Sequence, residues 1–287
     1  MFDHEWTPLP VDTADGAVIV SQSCDASLPH RDRVQIAPVV RIEHPEDLRE
    51  AASGKRTQFV ALPRIGSDYF ADLDAITTVF KTALLGCHRV AGVETDQEVR
   101  EFAFSVSRRF GRFAYPDEVS ECLIPLQKAL QSKARKETSP LGRALTGVHS
   151  FRVACEDWTK PPYELTLIVI LEPGLASMEF DDEGDGDAPR NLQPPSSGDL
   201  AKHVNNYAEY LLKEERTPTE KYYAWQYLAE AWALQCEAVA ATKGLFGGFV
   251  DSVSAELAVV DDFPLSRVLS TESLDLDYLS DSRKSLE

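Results

Sequence analysis

The first 80 residues alternate short β-branched runs with polar connections. Ala17-Val-Ile-Val20 runs into Ser21-Gln-Ser-Cys-Asp25, and Val34–Val40 follows at hairpin distance, after a connection holding Pro29, His30 and Arg31. Gln58–Pro63 reads as a third strand. Tyr69–Val79 leads into Leu73, Ile76 and Phe80 at helical spacing, yet Ile-Thr-Thr-Val favours a strand, because β-branched side chains lose rotamer freedom in a helix. Short strands at close spacing, punctuated by Pro and Gly, predict a small barrel.

The period then changes. Thr95-Asp-Gln-Glu98 is a capping box, and Val99, Phe102, Val106, Phe110 and Phe113 follow at three-to-four spacing, which predicts an amphipathic helix with Phe110 and Phe113 facing inward. Pro116-Asp-Glu opens a second helix with Val119, Leu123, Leu126 and Leu130 on one face. Strands are predicted at Val148–Cys155 and Glu164–Leu171, with Pro161-Pro162 turning between them. Residues 179–199 form an acidic, Pro/Gly/Ser-rich insert predicted to be disordered. A helix around Leu200–Lys213 follows. Thr217-Pro-Thr-Glu220 is a second capping box, opening a long helix through Trp225, Leu228, Trp232 and Cys236 that ends near Gly244. Ser252–Val259 alternates cleanly and predicts a half-buried antiparallel strand. The expected fold class is α+β. A small SH3-like β-barrel spans residues 1–92, a basic helical linker 93–147, and an α+β domain 148–287 whose antiparallel sheet carries helices on one face.

Composition narrows the function. The chain of 287 residues can bury a sizeable core. Its longest apolar run, Leu165–Leu171, falls far short of the roughly 20 residues of a membrane span, so no membrane role is expected. The first residues lack the basic start and apolar segment of a secretory signal. Five cysteines stand singly, arguing against a zinc site or disulfide framework and for a reducing cytoplasm. No cofactor or metal is expected. The formal charge of −18 is uneven: residues 1–99 hold 9 Lys/Arg against 16 Asp/Glu, residues 100–160 hold 11 against 7, and residues 161–287 hold 9 against 24. If nucleic acid binds, residues 100–160 are the expected contact surface.

Residues 16–86 resemble the small barrel of the MazF/PemK growth-inhibitor toxins. Gly16-Ala-Val-Ile-Val-Ser21 is similar to the family's apolar strand ending in Ser, and Val34-Gln-Ile-Ala-Pro-Val-Val40 to its Pro-centred strand. Phe59–Pro63 and Tyr69–Thr77 resemble the strand pair that follows. The resemblance implies a barrel facing nucleic acid, since family members cut RNA without a metal. The family's catalytic Thr is replaced by Val39 or Val40, and its basic loop has no counterpart in Pro10–Asp15, which leaves Arg31 and Arg33 as the cations for a phosphate.

Ser21, Ser23, Cys24 and Asp25 are the candidate catalytic residues. Asp25 would serve as general base or stabilise a cationic transition state, while Ser21 and Ser23 orient a phosphate, sugar or base. The same residues also suit a strand end whose side chains cap a local turn. Cys24 as nucleophile would need His30 or His88. Asp72 and Asp74 fall on one face of the presumed strand, where two carboxylates can bind a metal, run acid/base chemistry or simply be solvated. Arg108, Arg109 and Arg112, helped by Lys128, Lys133, Arg135 and Lys136, suit phosphate contact or a helix end dressed with cations. The aromatic stripe Tyr222, Tyr223, Trp225, Tyr227 and Trp232 reads as core. The expected function is metal-independent hydrolysis of a phosphodiester or glycosidic bond in nucleic acid, of the toxin or phage-defence kind. The alternative is a non-catalytic nucleic-acid- or protein-binding module of such a system. A homodimer or a defence-system protein is the further partner considered.

Overall fold

The structure is a computed structural model that describes residues 13–54, 56–111, 113–134, 136–175 and 189–275. Among these, two sheets and eight α-helices make an α+β fold in two compact units that divide after Arg112. The stretch 93–147, expected as one linker, is therefore apportioned between them.

The first unit contains β1 (Ala17–Ile19), α1 (Ser23–Ser27), β2 (Arg33–Arg41), α2 (Pro45–Ala52), β3 (Phe59–Ala61), β4 (Tyr69–Asp72), β5 (Thr77–Phe80) and α3 (Asp96–Phe110). β2 is its spine, pairing antiparallel with β1 along one edge and with β4 and β5 along the other. Val39 lies opposite Ala71 but Ile36 opposite Thr77, so β4 and β5 run as one strand kinked by a 3₁₀ turn at Leu73–Ala75. The strand reading of Ile-Thr-Thr-Val holds, and the kink takes up its Leu73. The sheet does not close into the expected barrel. β1 pairs with β2 and β3 with β4, and these edge strands of three residues each leave little ladder to join.

Ala37, Val39, Val60, Leu62, Ala71 and Leu73 form the core of this unit, and Phe102 and Val106 of α3 pack against it. The Thr95 capping box is present as predicted. The apolar stripe is narrower than expected, because so small a sheet covers only the middle of α3. Val99 is 49% exposed and Phe110 63%, so Phe110 does not face inward.

The second unit contains α4 (Asp117–Lys133), α5 (Pro140–Ala144), β6 (Val148–Ala154), β7 (Tyr163–Leu171), α6 (Leu200–Leu211), α7 (Pro218–Thr242), β8 (Val250–Val259), α8 (Leu265–Leu269) and β9 (Glu272–Ser273). The sheet order is β8-β7-β6-β9. β8 runs parallel to β7, with Leu167 opposite Ala255, and not antiparallel as its alternation suggested. Two helices, α6 and α7, lie between the strands and return the chain to the same end of the sheet, as a parallel pair requires.

One face of the sheet, including Leu165, Leu167, Val169 and Phe151, is buried with Leu123, Leu126, Leu228 and Trp232 of the helices. Phe151 meets Trp232 edge-on at 5.4 Å. The other face carries a smaller cluster of Ile168, Ile170 and Ala258, packed by Val260 and Phe263. Burial on both faces explains the uninterrupted LTLIVIL of β7.

Of the insert read as disordered, residues 179–188 lie outside the described residues, and the rest is anchored. Leu192 is buried in the main core, and the Tyr207 hydroxyl donates to the Gln193 carbonyl at 2.7 Å. No helix among the described residues is long and apolar enough to cross a membrane.

Candidate functional site

β1 delivers the chain to the predicted strand-end cluster, but most of its polar groups are already engaged. The Ser21 hydroxyl accepts the Gln35 backbone N–H at 2.8 Å, tying the strand end to β2. Ser23, Cys24 and Asp25 sit on α1, a helix of five residues that buries none of them. Cys24 donates to Gln22 Oε1 at 3.5 Å, and among the described residues no hydrogen bond joins it to His30 or His88. Asp25 pairs with Arg31 at 3.0 Å, the two side chains being 41% and 53% exposed. An ion pair this exposed contributes little to stability and leaves both groups within reach of a ligand.

The arginines expected to hold phosphate have separate positions. The Arg33 guanidinium lies over the Phe80 ring at 4.7 Å from its centre. Arg108 donates to the Gly54 carbonyl at 3.4 Å. Arg109 places two N–H groups on Asp74 Oδ1 at 3.1 and 2.5 Å. Arg112 lies outside the described residues. Asp72 accepts the Asp74 backbone N–H at 3.0 Å and so caps the 3₁₀ turn. The kink therefore separates two carboxylates that were expected on one strand face. Among the described residues no group of three or more His, Cys, Asp or Glu side chains is placed to hold a metal. Burial pushes the Cys122 thiol up to about 11 and raises Cys236 as well, which disfavours the thiolate at both.

A different set of basic residues stands on the second unit. Lys128 and Lys133 on the C-terminal half of α4, Lys136 just beyond it and Arg143 on α5 are all exposed, and none forms an ion pair among the described residues. Gly142 fixes this corner. A Cβ there would stand 2.6 Å from the Lys133 carbonyl oxygen and closer still to that of Lys136, so only glycine lets α5 abut the end of α4. Arg135 lies outside the described residues.

The sequence reading missed a groove of about 700 Å³ on the less covered face of the second sheet. Glu164 and Thr166 of β7 and Ser252 and Ser254 of β8 form its floor, and Trp158, Arg267, Thr271 and Glu272 stand among its walls. Arg152 fastens the wall by donating to Thr271 Oγ1 at 2.6 Å, to the Val268 carbonyl at 2.8 Å and to the Thr271 carbonyl. Its partial burial lowers the Arg152 pKa. The signal lay in the polar half of the β7 and β8 alternation, which faces away from α4 and α7.

No family model, curated protein or solved structure matches this chain.

Proposed function

We propose that this chain is a non-catalytic nucleic-acid-binding module that contacts backbone phosphates through Lys128, Lys133, Lys136 and Arg143. The observation carrying the reading is that these four exposed cations are unpaired among the described residues, whereas Arg31 and Arg109 are held by Asp25 and Asp74. Phosphate contacts of this kind give affinity without sequence readout. The formal charge of −18 opposes long-range attraction, so binding is short-range and confined to this corner.

Fluorescence anisotropy with labelled single- and double-stranded RNA and DNA tests the reading. Reversing all four cations (Lys128→Glu, Lys133→Glu, Lys136→Glu, Arg143→Glu) is expected to weaken binding at least about tenfold. An unchanged affinity overturns the reading.

A second reading, metal-independent hydrolysis of the MazF/PemK kind, rests on Asp25 and Arg31 standing exposed side by side at 3.0 Å, where a phosphate that displaced their ion pair would meet both a base and a cation. Ser21, Ser23 and Cys24 would flank the substrate. The same oligonucleotides incubated in EDTA read it out. Asp25→Asn should abolish cleavage and leave binding intact, and an uncut substrate with the unaltered chain removes the reading.

A further inference from the structure

β8 ends the second sheet and has one strand neighbour, β7, among the described residues. It is 10 residues long, and its register with β7 runs without a shift from Ser252 to Val259. The Val253 N–H is turned off that ladder and donates to Glu237 Oε1 of α7 at 2.9 Å. In a regular ladder alternate residues direct their N–H and C=O groups to opposite edges, so those of Ala255 and Leu257 share the outer edge with Val253. No described strand lies opposite them. A long row of backbone donors and acceptors is a template for one more strand.

We propose that the outer edge of β8 pairs antiparallel with β8 of a second copy of this chain, across a two-fold axis at Ala255. The residues of the edge favour that occupant. Centring on Ala255 sets Val253 opposite Leu257 of the second copy, Ser254 opposite Glu256, and Asp251 opposite Val259. No acid meets an acid, and the buried Val253 and Leu257 extend the apolar face as a cross-strand pair. Val253, Ala255 and Leu257 all present backbone groups to the edge, so each would exchange hydrogen bonds with the residue opposite. Such an interface is isologous, one patch serving both copies. Glu256 is already held by Arg267 at 2.6 Å, which offsets its charge where the strands would meet. Glu237 gates the edge. Its half-buried carboxylate holds the Val253 N–H that a carbonyl of the second copy would take, and it must swing aside for the pair to form.

Sedimentation equilibrium of the full chain over a range of concentrations tests the inference. The expected result is a reversible monomer–dimer equilibrium that tightens as salt is added, because salt screens the formal charge of −18 on each copy. Ala255→Pro removes one outward N–H and sets a ring on the edge, a change that edge strands tolerate, and should weaken dimerisation at least about tenfold. Glu237→Ala frees the Val253 N–H and should tighten it about tenfold. Far-UV circular dichroism of both variants separates a lost edge from a lost fold. A chain that stays monomeric at about 100 μM, or a folded Ala255→Pro variant that dimerises unchanged, overturns the proposal. Should Ala255→Pro fail to fold, an unchanged dimerisation constant in Glu237→Ala overturns it instead.

Discussion

Glu98 shows what one carboxylate does here when the backbone converges on it. Its Oε2 accepts the Glu94 N–H at 2.8 Å, the Thr95 N–H at 3.1 Å and the Arg64 Nε–H at 3.1 Å. These donors favour the charged form and hold its pKa at about 2, below the ordinary 4.5. A carboxylate with a depressed folded pKa stabilises fully above its unfolded value and ceases to as the pH falls through the folded one. Stability should therefore decline between about pH 4.5 and 2 as Glu98 is protonated. Glu98→Gln should lower the urea midpoint at pH 7 and flatten that acid limb, and a limb of unchanged steepness would exclude Glu98 as its source. Asp25 is the counter-example. Among the described residues it has one exposed ion pair, with Arg31 at 3.0 Å. Sequence could place Asp25 at a strand end but not reveal that Ser21 beside it was bound to Gln35, since that contact depends on how the two strands align.

The elements that were legible carry their own start signals. Both capping boxes, at Thr95 and Thr217, form as their spacing predicts, because cap and helix lie within one turn of chain. The direction of β8 was not legible. Alternation of Val253, Ala255, Leu257 and Val259 reports which face is buried, and that pattern is identical for parallel and antiparallel neighbours. The groove was hidden for a related reason, since its floor forms only where Glu164 pairs with Ser252 and Thr166 with Ser254, each across 88 residues of chain. The corner between α4 and α5 was missed because its determinant is one close approach. Gly142→Ala would drive a Cβ into the carbonyls of Lys133 and Lys136. It should cost about 1–3 kcal/mol, the usual range for overpacking. Thermal unfolding measures this, and a melting temperature equal to that of the unaltered chain would show that the corner relaxes freely.

At the scale of the whole molecule, charge is segregated. The formal charge of −18 opposes the four exposed cations of the second unit, so any nucleic-acid contact must be weak and governed by counterion release. With four cations engaged on duplex DNA, log K against log salt should slope by about −3 to −4. A slope near zero would show that those cations do not meet phosphate. The parallel pairing of β7 with β8 has a consequence for how the chain acquires its shape. Emerging from the ribosome, LTLIVIL must wait for α6, α7 and β8 before its second neighbour exists, because Leu167 pairs with Ala255. Contacts so distant along the chain slow folding, and an apolar strand with one open edge invites pairing with another molecule in the interval. The order of synthesis thus makes the most apolar segment of this chain its most vulnerable one until the last long strand is in place.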